Sequence, residues 1–366
     1  MKYIFGIIVF VHGLIHILGF VNGFDLKEIK ELSLPISKSF GILWLTAALL
    51  FLSFGIAYFS NTKYAWLLGF VSVVVSQILI IVYWEDARFG TIPNILVLAV
   101  CGVLFGYYHF QNLVQKEIEE MLSQNIVNEN RILSEKDISE LPVPVKNWLK
   151  NSGVIGRPFI SVGKVSQKAE MKMKPEQEKW MTATAIQYTT IENPAFIWFV
   201  DVKMNSLLNF QGRDKFVDGK GEMFIKINSL FNVVNERGEK IDEGTFQRYL
   251  GEMVWFPSLA VSPFITWEQI DENTAKATMT YKGTSGSGNF YFNSNGDITK
   301  FSALRYKGNE TDAKRYNWEM TILDYKTFEG IKVPAKMTST WKLDDKDWTW
   351  LKLEVTDIKY NKNASH

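Results

Sequence analysis

The 366-residue chain has one cysteine, Cys101, so an intrachain disulfide is excluded, and with it the small disulfide-stapled folds. Histidine is nearly as scarce. Three of the four lie at positions 12, 16 and 109 and the other is residue 366, so Phe110 to Ser365 contains neither His nor Cys. That removes His-based triads, Cys nucleophiles and the usual zinc or haem sites from this stretch. No Walker or dinucleotide fingerprint is present either. Gly283-Thr284-Ser285-Gly286-Ser287-Gly288 falls between strand-like segments and opens no helix, so it reads as a flexible turn. Charge is missing elsewhere. Residues 1–112 hold only six of the forty basic side chains (Lys2, Lys27, Lys30, Lys38, Lys63, Arg88) and five of the thirty-nine acidic ones (Asp25, Glu28, Glu31, Glu85, Asp86), leaving thirty-four of each sign for the remainder. Both parts are near neutral, which argues against a nucleic-acid partner.

What fills the charge-poor part is four apolar runs, Tyr3 to Phe24, Phe40 to Ser60, Trp66 to Trp84 and Ile95 to Phe110, none with a Lys, Arg, Asp or Glu before the terminal residues given. A spanning helix needs roughly 20 apolar residues, about 17 at the short end. The last run is a little short and borrows from its neighbours. A signal peptide is rejected for the first run, which is long, carries two histidines and lacks a small-residue cleavage pattern before Asp25. Tyr3, Tyr58, Trp66, Tyr83, Trp84, Tyr107 and Tyr108 lie near span ends as an aromatic belt would. A membrane four-helix bundle over residues 1–112 is expected, in a cell membrane and most simply a bacterial inner membrane. Lys2, Lys63 and Lys116 on one side oppose Lys27, Lys30, Lys38 and Arg88 on the other, so the positive-inside rule gives no orientation. Four spans do place the N-terminus and the C-terminal domain on the same side.

Polar residues inside spans are costly unless partnered. His12 and His16, four apart, share one helix face. His16 and Gln77 lie at the same depth, and a His16–Gln77 hydrogen bond is expected. After the third run, Trp84 to Asn94 forms a polar turn with Glu85, Asp86 and Arg88 at the interface, within reach of the His face. Two readings stay open. In one, His12, His16 and Asp86 hold a metal or haem or relay protons. In the other, the histidines are donors that pack helices. A metal wants three or four ligands, and His12 and His16 are only two; His109 sits near the opposite interface.

Residues 113–158 read as a helical connector. Gln115 to Leu122 continues the last helix amphipathically, Ser134-Glu135-Lys136-Asp137 resembles a capping box, and a short helix spans Val145 to Asn151 before Gly153. From Phe159 the period becomes two, with alternation in Ile160 to Val165, Ala169 to Met173, Thr182 to Ile186, Lys276 to Tyr281, Trp318 to Ile322 and Leu351 to Val355. Turn signals at Asp218-Gly219, Arg237-Gly238, Lys282-Gly283, Asn295-Gly296 and Glu329-Gly330 predict roughly ten antiparallel strands joined by hairpins. One amphipathic helix, Glu243 to Val254, capped by Asp242, interrupts them. The expected fold is therefore a membrane bundle plus an α+β domain over 159–366, a large curved antiparallel sheet (a half-barrel) wrapped around that helix.

Its interior should be aromatic and methionine-rich, drawn from Trp180, Trp198, Met204, Phe224, Trp255, Trp267, Phe290, Phe292, Trp318 and Trp341. Such residues make either a filled core or an apolar ligand cavity. The chemically richest cluster is Arg213, Asp218 and their neighbours with Arg248 and Glu252. Arg248, Tyr249, Glu252, Trp255, Trp267 and Trp318 complete the candidate ligand-binding set, against the plainer alternative of a surface ion pair and a charged hairpin.

Several segments together resemble a known family: His12-Gly13-Leu14-Ile15-His16-Ile17-Leu18-Gly19-Phe20, Trp84 to Asn94, Gly212-Arg213-Asp214-Lys215-Phe216-Val217-Asp218-Gly219-Lys220-Gly221-Glu222-Met223, Val254-Trp255-Phe256-Pro257-Ser258 and Glu354 to Tyr360. The chain resembles a bacterial domain-of-unknown-function family of multi-pass membrane proteins. Its soluble half is similar in layout to the lipoprotein-carrier half-barrel. The resemblance implies architecture and no established activity.

Three functions are consistent with these features. The first is a membrane-tethered module binding a lipid, acyl chain or lipidated protein. The second is an intramembrane metal, haem or proton-relay protein built on His12 and His16. The third is a scaffold presenting the β domain to a protein partner. No cofactor is otherwise expected, and the missing nucleophiles point away from conventional catalysis in the soluble half.

Overall fold

The computed structural model describes residues 1–125, 131–205 and 208–362. It divides into two compact units, Met1–Asn112 with Asn228–Leu230, and Leu113–Ile227 with Phe231–His366.

The first unit is helical: α1 (Lys2–Gly23), α2 (Lys38–Phe59), α3 (Ala65–Val82), a single turn α4 (Trp84–Ala87), a 3-10 turn Arg88–Gly90, and the part of α5 (Thr91–Ser123) that precedes Leu113. Among the described residues four helical stretches are long and apolar enough to cross a membrane: α1, α2, α3 and Trp84–Ser123. The short fourth run of the sequence is thus part of a much longer helix, entered through Pro93, whose missing N–H is harmless in a first turn. Small residues let the helices approach. A Cβ on Gly19 would lie 2.2 Å from the Trp44 ring, and one on Gly69 2.4 Å from Cys101 Sγ. The outward faces are apolar, with Ile7, Ile56 and Ile81 all more than 60% exposed.

In the second unit, α6 (Val143–Ser152) starts with proline in its first turn and ends at Gly153 in the left-handed conformation, φ 73°. Ser134 and Asp137 do bond, Ser134 N and Oγ both donating to Asp137 Oδ2, but they close a turn and not a helix. The strands are β1 (Val162–Met171), β2 (Met181–Thr190), β3 (Ala195–Lys203), β4 (Asn209–Val217), β5 (Lys220–Ile227), β6 (Phe231–Glu236), β7 (Ile265–Gln269), β8 (Thr274–Tyr281), β9 (Thr284–Phe292), β10 (Ile298–Tyr306), β11 (Arg315–Phe328), β12 (Ile331–Lys342) and β13 (Asp347–Tyr360). They form one open antiparallel sheet in the order β6-β5-β4-β3-β2-β1-β13-β12-β11-β10-β9-β8-β7. Thirteen strands are found among the described residues where roughly ten were expected, and β3 and β4 are buried on both faces over part of their length, which erases the period-two signal there.

Between β6 and β7, the two edges, runs α7 (Glu239–Gly251), followed by 3-10 turns at Glu252–Trp255 and Pro257–Val261. The helix begins at Glu239, earlier than expected, because Asp242 does not cap it. The Asp242 carboxylate instead accepts from Gly221 N (2.8 Å) and Lys220 Nζ (2.9 Å), tying the helix to β5. In the strand order β5 and β9 are nine spacings apart, which is about 43 Å in a flat sheet at about 4.8 Å per strand. Yet α7, a rod of about 10–12 Å, packs against β4, β5, β9 and β10. The β4–β5 and β8–β9 turns also touch: Thr284 Oγ1 donates to Gly219 O (2.6 Å) and Lys282 pairs with Asp218. The sheet is strongly bent but not closed. Its core beside α7 is Phe216 stacked on Phe246 (4.8 Å), with Phe196, Tyr249, Leu250, Phe290 and Phe301 buried around them.

Candidate functional site

A cavity of about 240 Å³ opens in the second unit, walled by side chains of β3–β5, α7, its following turn and β10–β13. Six tryptophans line it (Trp198, Trp255, Trp318, Trp341, Trp348, Trp350), with Met223, Met320 and Met337. The register explains the density. Trp318 pairs directly with Trp341 across β11–β12, and Trp341 with Trp348 across β12–β13, so three indoles form one cross-strand row. Between Thr340 and Ser339 the β13 register slips from Thr349 to Leu351. The extra residue, Trp350, is a bulge, and it is why even-numbered Trp348 and Trp350 share the cavity with odd-numbered Leu351 and Leu353.

One wall is charged. Arg248 Nε donates to Glu252 Oε1 (2.7 Å), Nη1 to Asp214 Oδ2 (2.7 Å) and Nη2 to Gln187 Oε1 (3.1 Å), and Gln187 Nε2 donates to Glu252 Oε2 (2.7 Å). The guanidinium also lies over Trp198 (4.6 Å) and Phe196 (4.9 Å). Burial works against the Arg248 charge, but Glu252 and Asp214 outweigh it and its pKa rises. Burial pushes the Asp214 carboxyl up, against Arg248, Arg213 and Arg305. Arg305, stacked on Trp318 (4.5 Å) and Trp341 (5.7 Å), is pushed down to about 10 by burial and by Arg248.

Of the residues singled out in the sequence, Arg248, Glu252, Trp255 and Trp318 line this cavity. Four others do not. Arg213, one residue from Asp214, faces the opposite way: its Nη1 donates to Glu222 Oε2 (2.9 Å), its Nε lies 3.1 Å from Glu117 Oε2, and Lys215 Nζ donates to Glu117 Oε1 (2.9 Å). Asp218 is exposed in the β4–β5 turn with Lys282. Tyr249 is buried, its hydroxyl donating to Thr190 O (2.8 Å). Trp267 Nε1 donates to Ala260 O (2.9 Å), and its ring packs on Phe290. Trp180 and Met204 stay outside as well: Trp180 stacks with Lys172 and Lys352, and Met204 is exposed. Sequence reasoning missed Asp214 and Arg305 as wall residues; alternation along β4, which sends Arg213 and Asp214 to opposite faces, was the available signal for the first.

The first unit has its own polar site. His16 Nδ1 is 2.8 Å from the His12 carbonyl, which only accepts, so Nδ1 carries the proton, and Nε2 is hydrogen-bonded with Ser76 Oγ (2.8 Å). Ser76 Oγ accepts from Asn94 Nδ2 (3.0 Å), which also donates to Gln77 Oε1 (3.1 Å), and Asn94 Oδ1 accepts from His12 Nε2 (3.0 Å). Gln77 Nε2 donates to Thr91 Oγ1 (3.3 Å). The expected His16–Gln77 bond is therefore replaced by His16–Ser76. One helical residue is a rotation of about 100°, and it is Ser76, fully buried, that faces α1. Asp86 accepts from Ser33 Oγ (2.6 Å) and Leu34 N (3.0 Å), while Glu85 and Arg88 are exposed, Arg88 over the Phe89 ring. A cavity of about 290 Å³ touches His12, His16, Trp44 and Asp86. Both His16 nitrogens are engaged, and among the described residues no group of three His, Cys, Asp or Glu is placed to hold a metal.

An open antiparallel half-barrel with an indole-lined cavity defines the class of the second unit. The chain belongs to the family of unknown function DUF6544, whose model matches residues 131–353, from the connector into β13. No curated protein matches the sequence. Similar solved structures include a LolA superfamily protein from Nitrosomonas europaea, at 10% identity over 61% of this chain and 96% of that one with a TM-score of 0.35. Another is a β-barrel-like protein of the domain of unknown function DUF1849 from Brucella abortus, at 12% identity over 56% and 99% with a TM-score of 0.23.

Proposed function

We propose that this protein is a membrane-tethered binding module whose half-barrel, wrapped around α7, holds a lipid, an acyl chain or a lipidated protein. The observation that carries the reading is the cavity of about 240 Å³, apolar over most of its wall and charged on one side. Ligand pockets are built in this way, and at somewhat below the usual range of roughly 300–1,000 Å³ it suits one slender chain better than a bulky ring system. The tether is supported by the four apolar helices and their exposed apolar faces, which water would solvate poorly. Holding the module at a bilayer raises the effective concentration of a bilayer-derived ligand without any new contact. The metal or haem reading has less support, because both His16 ring nitrogens are already hydrogen-bonded and no third ligand stands near them among the described residues.

The test is organic extraction of the full-length protein purified in mild detergent, followed by mass spectrometry, beside Ser339→Phe, which adds a ring to the cavity wall. The wild type should retain an acyl-chain species through washing that Ser339→Phe lacks. Identical lipid content in the two proteins overturns the reading.

A further inference from the structure

The cavity wall contains hydrogen-bond donors without acceptors. Arg305 Nε, Trp318 Nε1, Trp348 Nε1 and Trp350 Nε1 are buried and have no partner among the described residues. All four residues line the same cavity. Buried polar groups are nearly always satisfied, so four unmet donors and no unmet acceptor around one space require an explanation. Arg305 is the strongest of them. A guanidinium is a five-donor fork with no acceptor of its own. Arg248 has two carboxylates and Gln187, and Arg315 has Glu243. Arg305 instead has two indole faces, Trp318 and Trp341. Opposite it α7 carries Gly244, where a Cβ would stand 3.3 Å from Arg305 Nη2, so the absence of a side chain there leaves the guanidinium room beside the helix. The carboxylates that offset its charge, Asp214 and Glu252, are already bonded to Arg248 and offer it no hydrogen bond among the described residues.

Resting on the binding reading above, we infer that Arg305 is the anchor for an oxyanion headgroup, so that the ligand is an anionic amphiphile with a carboxylate or phosphate at Arg305 and its chain among the tryptophans and methionines. An oxyanion is acceptor-only and matches a guanidinium fork bidentately, and indole N–H groups can complete its shell. A neutral glyceride or alcohol leaves the guanidinium short of acceptors.

The probes are octanoate, octyl phosphate and octanol, soluble enough to titrate against the full chain in phosphatidylcholine nanodiscs by calorimetry, with empty nanodiscs subtracted. Wild type should bind at least one anion about tenfold or more tighter than octanol, and the better of the two names the headgroup. Arg305→Gln should abolish that preference while octanol affinity changes by less than about twofold, and Arg305→Lys should keep part of it, since a point charge remains without the fork. Equal binding of all three by wild type, or a preference that survives Arg305→Gln, overturns the headgroup assignment and leaves the cavity reading intact. Should both variants lose octanol together with the anions, Arg305 shapes the cavity and the assignment also fails. No binding of any probe by wild type overturns the cavity reading, and this inference with it.

Discussion

Arg248 is one cation held between two largely buried carboxylates, and its removal takes from Asp214 and Glu252 the guanidinium to which both are hydrogen-bonded. Breaking a buried pair from one side costs about 3–5 kcal/mol. Arg248→Met should therefore lower the urea midpoint of the β domain, read by tryptophan fluorescence, far more than the same substitution at exposed Arg237. The opposite sheet face gives a pH test. Burial pushes Glu222 up, but Lys215 and Arg213 outweigh it, so its folded pKa lies below its unfolded value. The stability it contributes is complete above the unfolded carboxyl pKa, about 4.3, and is lost as pH falls through the lower folded value. The gap in Tm between wild type and Glu222→Gln should thus be widest near neutrality and shrink below pH of about 4. A gap independent of pH would show that the ion pairs contribute nothing. In the helical unit, among the described residues, Asn94 bonds His12, Ser76 and Gln77, whereas Gln77 bonds only Asn94 and Thr91. Asn94→Leu should lower thermal stability in detergent by about 1–2 kcal/mol, and Gln77→Leu by less. Equal losses would mean that the network is not organised around Asn94. The sequence already showed that His12 and His16 share a face. It could not choose between Ser76 and Gln77, because neighbouring residues at equal depth differ only in rotation about α3.

Elements were legible where one local rule decided them. Asp218-Gly219, Lys282-Gly283 and Glu329-Gly330 all take positive φ at both central turn residues, the requirement that made them readable as hairpin turns. Helix α7 was legible in kind but not in its start, since Asp242 has the chemistry of a cap and spends its carboxylate on β5. Strands β3 and β4 were hidden by burial on both faces, and the Trp350 bulge by the fact that an inserted residue looks like any other until its partner strand is known. Close packing at the element level also yields a prediction. A Cβ on Gly288 of β9 would lie 2.3 Å from the Phe301 ring of β10, with Ser302 backbone at 2.9 Å behind it. Gly288→Ala should destabilise the domain by about 1–3 kcal/mol through overpacking, measured by urea titration, despite alanine's lower backbone entropy cost. A neutral or stabilising result would mean that β9 and β10 can separate freely at this point.

At the scale of the whole β unit, the question is whether thirteen strands hold one curved shape in solution. Bending is what brings Asp214 of β4, Arg248 of α7, Arg305 of β10 and the β11–β13 tryptophans around one space. In a flat sheet the β4–β5 and β8–β9 turns would stand about 43 Å apart, whereas Asp218 pairs with Lys282 and Thr284 reaches Gly219. Cysteines placed at both turns report on this directly, because a disulfide forms only when Cα atoms come within about 7 Å. The natural chain contributes a single thiol, Cys101, and it is buried. In a Cys101→Ser background, Asp218→Cys with Lys282→Cys should therefore oxidise rapidly to one intramolecular cross-link, seen as a mobility shift reversed by reductant. Either cysteine alone should give no such species. If the half-barrel is what encloses the ligand, the cross-linked protein should also release bound amphiphile more slowly than the reduced form, since the turn-to-turn latch then cannot open. A cross-link that fails to form under oxidant would show that the two turns do not stay together and that the bend which gathers the walls of the cavity does not persist.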